Sequence, residues 1–276
     1  MSFIKSILYG FVSGLTEILP VSAKAHQALL CYMFGAQTRV PILDLLVHIG
    51  ILFSIIFSCR DLITRLSRER RLTSTSHRKR SQSLDSRSYF EWRLLKTASV
   101  PLFIGLALYF ITSGFENELL KLMLFLLLNA AVLLLADHTS RGNRDARTMS
   151  GLDGIVMGIF GALSVLPGIS RTGMVSAYTA IRGADYEYTV NWAVILGIPA
   201  MIFLIIFDIV SLVSIGIGAI SFAAIAGYIF AGVFAFCGCY IGISLLKMLL
   251  SQSGFSKFAY YSIGMAFFSF ILYLLT

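Results

Sequence analysis

The chain has 276 residues, 57% of them hydrophobic and only 13% charged, with a mean hydropathy of +0.83. That is far more apolar than an ordinary soluble domain, so a soluble globular enzyme is excluded and an integral membrane protein is expected. The formal charge of +8 is gathered in loops instead of being spread over a face, which points to membrane lipids with anionic headgroups at one leaflet and not to nucleic acid.

Apolar runs of about 18 to 20 residues, enough to cross roughly 30 Å of hydrocarbon, recur along the whole length. Residues 1–276 therefore read as one polytopic membrane domain with no room for a soluble one. Residues 3–19 are apolar but interrupted by Ser13, Gly14, Thr16 and Glu17 and stopped by Pro20, which suits a half-helix better than a full span. The run continues into polar residues without a small-residue cleavage site, so it is expected to be retained, not cleaved as a signal peptide. Residues 27–35 form a second short apolar piece ending at Gly35. Two half-helices around a polar break predict a re-entrant hairpin, tolerated at membrane depth only where the broken backbone lines a cavity or is buried in protein. A full span is expected over 42–58.

Between Arg60 and Arg93 lie ten basic and four acidic residues, most of the chain's net charge. This stretch is expected to be a solvated, disordered cytoplasmic loop acting as a topology signal. Spans over 94–112 and 119–136 are joined by an outer loop carrying Glu116 and Glu118, and Arg141, Arg144 and Arg147 mark the next inner loop. Residues 152–166, rich in glycine (Gly154, Gly158, Gly161) and stopped by Pro167-Gly168, and then 173–182 repeat the hairpin layout. Spans follow over 188–208, within 217–247 and over 257–275, with Lys247 and Lys257 flanking the last inner loop. The expected fold is an all-α polytopic membrane protein with an inverted-topology repeat, two re-entrant helix hairpins plus six transmembrane helices. Repeat 1 covers about 1–136, with the basic loop at 60–93, and repeat 2 about 152–276. Three spans between the hairpins make the first enter from outside and the second from inside, and the repeat interface near mid-bilayer is the expected substrate site. Cys31, Cys59, Cys237 and Cys239 lack metal-ligand spacing and sit in or beside apolar runs. They are expected to be buried thiols, with neither a disulfide nor zinc implied.

The chemistry concentrates in the two breaks, Glu17 to His26 and Pro167 to Gly173, because ionisable side chains at membrane depth are expensive and mark substrate or ion sites. Pro20-Val21-Ser22 and Pro167-Gly168-Ile169-Ser170 each end one half-helix and can open the next, and free N–H groups at a helix start favour phosphate oxygens. Arg171, always charged and able to grip two oxygens at once, completes an anion cradle. Gly168 and Gly173 would let backbone approach the anion, and Glu17 and His26 would supply a base or a metal ligand across the interface. Plainer readings stand beside these. Arg171 and Glu17 can be a structural ion pair, His26 a hydrogen-bonded core histidine, Ser22 and Ser170 helix caps, and Lys24 a snorkelling side chain. His48 and Asp44, four apart on one helix face, read as a satisfied polar contact or a second layer behind the site, and Asn129 and Asp137 carry less signal.

On these residues the chain resembles the bacterial undecaprenyl-diphosphate phosphatase family associated with bacitracin resistance. The resemblance runs along nearly the whole chain and rests on Gly14-Leu15-Thr16-Glu17-Ile18-Leu19-Pro20-Val21-Ser22 with His26, on His48-Ile49-Gly50, and on Leu166-Pro167-Gly168-Ile169-Ser170-Arg171-Thr172-Gly173. It implies an inverted-repeat fold in the bacterial plasma membrane and hydrolysis of a C55 polyprenyl diphosphate lipid to the monophosphate, recycling the cell-wall lipid carrier with help from a divalent cation, Mg2+ or Ca2+. It further implies that Glu17 and His26 belong to the catalytic motif and that Ser170 and Arg171 bind the diphosphate. The chemistry of the breaks adds Ser22 and Arg171 to the catalytic candidates, Thr172, Gly168, Gly173 and Lys24 to the substrate-binding ones, and Glu17 as the candidate metal ligand. The chain departs from the family pattern at Ser13, where a glutamate is expected, at Ala23 in place of a serine, at Lys24 in place of a threonine, and at Gly161 in place of a glutamine. Losing a carboxylate weakens a metal site, and losing the serine removes a covalent route at that position. Two activities use the same cradle: attack on the terminal phosphorus by water or Ser22, activated by Glu17 and His26, or non-hydrolytic translocation or binding of a polyprenyl phosphate by alternating access. A purely structural membrane protein is the third reading.

Overall fold

The computed structural model describes residues 1–35, 40–74, 86–139, 142–215 and 222–275, and these are almost wholly helical. The first half opens with α1 (Phe3–Ile18) and α2 (Ala23–Met33), joined by the short turn that Pro20 imposes. A proline cannot donate the helical hydrogen bond, and the chain leaves the helix at that point. Then come α3 (Pro41–Ser58), α4 (Arg60–Ser74), α5 (Ser86–Leu106), α6 (Tyr109–Thr112) and α7 (Leu119–Asp137). The second half holds α8 (Gly151–Ala162) and α9 (Arg171–Ile181), followed by α10 (Tyr186–Ile195), α11 (Gly197–Ile215), α12 (Phe222–Ser253) and α13 (Ser256–Leu274). Ser150 and Asp153 start α8 with a reciprocal capping box, which satisfies donors that a helix start otherwise leaves unpaired.

Among the described residues, six helical segments are long and apolar enough to cross a membrane: Pro41–Ser58, Phe90–Thr112, Leu119–Asp137, Tyr186–Ser214, Ala224–Gln252 and Ser256–Leu274. Their outward faces carry large apolar side chains such as Phe53, Ile104 and Val213, while Asp44, His48, Asn129 and Asp208 point inward and are buried. Polar residues inside and apolar residues outside is the arrangement of a bundle whose solvent is hydrocarbon. The protein is therefore a multi-pass membrane protein.

Two expectations from the sequence need correction. The basic stretch after Arg60 is not a disordered loop over the residues described: α4 covers Arg60–Ser74 and α5 begins at Ser86. Leu62 and Leu66, four apart, form an apolar stripe within the charges and pack beside Leu94, and Arg65 pairs with Glu91 at 2.9 Å. Arg78, Lys79, Arg80 and Asp85 lie outside the described residues, as does Arg141. The span expected over 188–208 lies within the membrane-crossing segment Tyr186–Ser214, which carries a turn between α10 and α11. Pro199 has no N–H to give the carbonyl four residues back, and its ring crowds that turn. Among the cysteines, Cys239 is buried as expected, but Cys237 is exposed and Cys31 and Cys59 are half-buried.

Backbone-close packing holds the first hairpin in the bundle. A Cβ added at Gly10 would lie 2.1 Å from the Ala231 carbonyl oxygen, one at Gly14 2.0 Å from that of Ala235, and one at Gly238 2.3 Å from that of Phe11. Small residues four apart let α1 and α12 approach this closely, the usual device for helix contact in lipid. Gly14→Leu is expected to lower stability by about 1–3 kcal/mol or more through overpacking, read as an earlier thermal unfolding in detergent. Gly264→Leu, where nothing lies within 4 Å, is the control and should shift the transition little.

Candidate active site

The two breaks meet. Ser170 caps α9, its Oγ accepting from the Gly173 amide at 3.1 Å and donating to the Leu19 carbonyl at 3.1 Å. Thr172 Oγ1 donates to the Glu17 carbonyl at 3.0 Å. From α9, Arg171 directs its guanidinium back at the first hairpin, with Nε 3.3 Å and Nη2 3.2 Å from Glu17 Oε1. Its Nη1 donates to the Ala193 carbonyl at 2.9 Å. That carbonyl lies in the last turn of α10, where helical acceptors run out, and the break before Pro199 leaves it open to the arginine. Arg171 is 3% exposed and Glu17 14%, so the pair is sheltered from bulk water. The sequence admitted either an ion pair or an anion cradle for these two, and the geometry contains the pair and leaves Glu17 Oε2 outside it.

A small pocket opens beside this pair, walled by Glu17, Lys24, Ser164, Ser170 and Arg171 and closed by apolar side chains including Met201. Lys24 does not reach out to a membrane surface; its buried ammonium stands 3.6 Å above the Tyr109 ring. Tyr109 in turn donates to Glu116. Cation and aromatic face attract, more strongly once water is excluded.

His26 and Ser22 are set apart from that pocket. Ser22 starts α2 with φ 66, an unusual backbone for a residue with a Cβ, and its Oγ accepts from the amides of Ala25 and Gly168 at 3.4 and 3.1 Å. His26 Nδ1 lies 2.8 Å from the Ser22 carbonyl, and Nε2 lies 2.8 Å from the Tyr261 hydroxyl, the two rings stacked. These contacts fit the plainer readings of a helix cap and a core histidine. Tyr261→Phe should leave one imidazole nitrogen short of a partner and cost about 1 kcal/mol, measured by thermal unfolding.

Gly168 and Gly173 also serve packing. At Gly168, φ is +115 and a Cβ would lie 2.7 Å from Phe125 Cβ; at Gly173 it would lie 3.3 Å from Pro20 Cβ. His48 stands outside the pocket wall. Its Nδ1 is 2.5 Å from Asp208 Oδ2, while Asp44 accepts from the Tyr9 hydroxyl at 2.6 Å. Neither partner was foreseen from the spacing of Asp44 and His48.

Sequence reasoning gave Asn129 little weight. Fully buried in α7, it donates to the Pro20 carbonyl at 3.0 Å and to the Ser262 hydroxyl at 3.2 Å, and accepts from the Ser170 amide at 2.9 Å. It thus ties both breaks to the bundle. An amide inside an apolar run was the signal that could have found it.

The donor set does not fit a protein-held Mg2+ or Ca2+. Glu17 is the one carboxylate in the pocket wall among the described residues, and its Oε1 is committed to Arg171. No group of three His, Cys, Asp or Glu side chains suited to a metal occurs among the described residues. Ca2+ takes about six to eight oxygens, and Mg2+ is usually held by carboxylates with substrate phosphates. Here a cation would find only Glu17 Oε2, beside the guanidinium of Arg171 and a second positive side chain.

Comparison with known proteins covers nearly the whole chain. A family profile described as "Bacitracin resistance protein BacA" matches residues 6–268. The undecaprenyl-diphosphatase of Alkaliphilus metalliredigens is 29% identical over 269 residues, covering 95% of each chain. Those of Carboxydothermus hydrogenoformans and Methanobrevibacter smithii are each 28% identical, over 95% of this chain and 94% of theirs.

Proposed function

The chain belongs to the bacitracin resistance protein BacA family, and from that membership we propose that it hydrolyses undecaprenyl diphosphate to undecaprenyl phosphate and inorganic phosphate in the plasma membrane. The observation that carries this reading is the contact between Glu17 and Arg171, 3.2 Å apart in a bundle of apolar spans. A carboxylate and a guanidinium are costly at that depth. An anionic headgroup presented from within the membrane gives a reason to keep them, and the relatives are named for such a substrate.

In this reading the chain is one membrane domain of two repeats, about 1–136 and 152–276, whose hairpins enter from opposite leaflets because three spans separate them. The guanidinium N–H groups not used by Glu17 and Ala193 hold non-bridging oxygens of the diphosphate, together with the amide end of α9, Ser170 and Lys24. Glu17 Oε2 takes a proton from water as the water oxygen bonds to the terminal phosphorus. The bond from that phosphorus to the bridging oxygen breaks, and its electron pair leaves with the lipid phosphate. Charge developing on both phosphates is met by groups already in place, which is where such a site gains most of its rate. Ser22, Thr172 and Asn129 keep the two breaks in register, and His26 ties the first of them to α13 through Tyr261. The pocket offers only about 30 Å3, room for a water or two, so the headgroup enters by displacing flexible side chains, Lys24 first among them.

The test is phosphate release from farnesyl or undecaprenyl diphosphate by the purified protein in detergent. Release well above that of Arg171→Ala supports the reading. Release no higher than that variant's overturns hydrolysis and favours carriage of a polyprenyl phosphate without cleavage.

A further inference from the structure

We infer that Lys24 does in this pocket what a divalent cation would do, so that the diphosphate is bound without metal; the inference rests on the diphosphatase reading and names the counter-charge of that site. Three observations converge on it. The pocket wall carries two positive side chains, Lys24 and Arg171, against the single carboxylate of Glu17, and so is already electropositive before any ion arrives. Glu17 Oε1 is held by two guanidinium nitrogens, at 3.3 and 3.2 Å, which leaves a metal only Oε2 of the single carboxylate, far short of the oxygens that Mg2+ or Ca2+ takes. The Lys24 ammonium sits on the Tyr109 ring at 3.6 Å, inside the protein, on a flexible four-carbon stem that can swing to an incoming oxygen.

A terminal phosphate carries about −1.5 to −2 charges near neutral pH. Lys24 and Arg171 with the positive end of α9 can meet that charge from the protein alone. A metal ion brought beside the ammonium and the guanidinium would instead be repelled by both, with little water to screen it. The ammonium also sets a geometry that an ion would not. It approaches the pocket from α2 while Arg171 approaches from α9, so two elements each bring a cation to the diphosphate.

The test uses the full-length protein in detergent and farnesyl methylenediphosphonate, whose bridging carbon cannot be hydrolysed, titrated calorimetrically with EDTA or with added Mg2+ or Ca2+. The expected result is the same affinity under both conditions, a loss of about ten- to a hundredfold in Lys24→Met, and recovery in Lys24→Arg. Wild-type binding that disappears in EDTA and returns with metal would overturn the inference while leaving the diphosphatase reading intact. Unchanged metal-free binding by Lys24→Met would overturn it as well. No binding under either condition would remove both. The wild-type comparison stands even if the methionine variant does not fold.

Discussion

Replacing Arg171 with alanine is expected to lower phosphate release from a polyprenyl diphosphate by about a hundred- to a thousandfold, the usual cost of losing one preorganised group that meets developing charge. The same change leaves Glu17 buried without its partner and opens the Ala193 carbonyl, so a stability loss of about 3–5 kcal/mol should accompany it. The two effects can be separated. In Glu17→Gln/Arg171→Ala the stranded charge is gone, and much of the lost stability should return while activity stays absent. Arg171→Lys keeps the charge but cannot reach Glu17 and Ala193 together with a planar fork, and it should remain far below wild type. Thermal unfolding in detergent and phosphate release on the same preparations are the measurements. An alanine variant that hydrolyses normally would remove Arg171 from the chemistry.

The second large effect is expected at a residue that touches no substrate. Asn129→Leu is close in size, yet it leaves the Ser170 amide and the Pro20 carbonyl without a partner in the middle of the bundle. Each unsatisfied buried group costs about 1–3 kcal/mol, so a total of about 2–6 kcal/mol is expected, enough to threaten folding altogether. Where the variant survives, Arg171 and Glu17 lose the brace that keeps their two breaks in register, and phosphate release should fall even in the folded fraction. Ser262→Ala, which removes only one of the three partners, should cost about 1 kcal/mol. Equal unfolding midpoints for Asn129→Leu and wild type would show that the amide does not hold the hairpins.

Both expectations depend on how the two halves of the molecule close on each other, and that closure was only partly legible beforehand. The pairing of Glu17 with Arg171 was within reach because each stands alone as a charge in an apolar neighbourhood, and such charges find each other. For Ser22 and His26 a catalytic and a plainer reading stood side by side, and their distant partners were not legible. Their residue types suit catalysis, but the positive φ at Ser22 turns its hydroxyl to the Gly168 amide, and Tyr261, 235 residues away in sequence, takes the far nitrogen of His26. Gly168 and Gly173 read as openings for an anion, whereas the space beside them is filled by Phe125 and Pro20.

Hydropathy alone determined the helical class, the number and order of the spans, and the position of both breaks, because a backbone in hydrocarbon must satisfy its own hydrogen bonds and a run of apolar side chains marks where it does so. Tertiary structure alone decided which polar groups share a pocket. Asn129, the Ala193 carbonyl and Tyr109 gain their roles from neighbours brought in by helix packing, and nothing in local periodicity records who those neighbours are. The helical order of α4 belongs with these, since two leucines in a charged run become an element only when Leu94 and its surroundings give them an apolar face to cover.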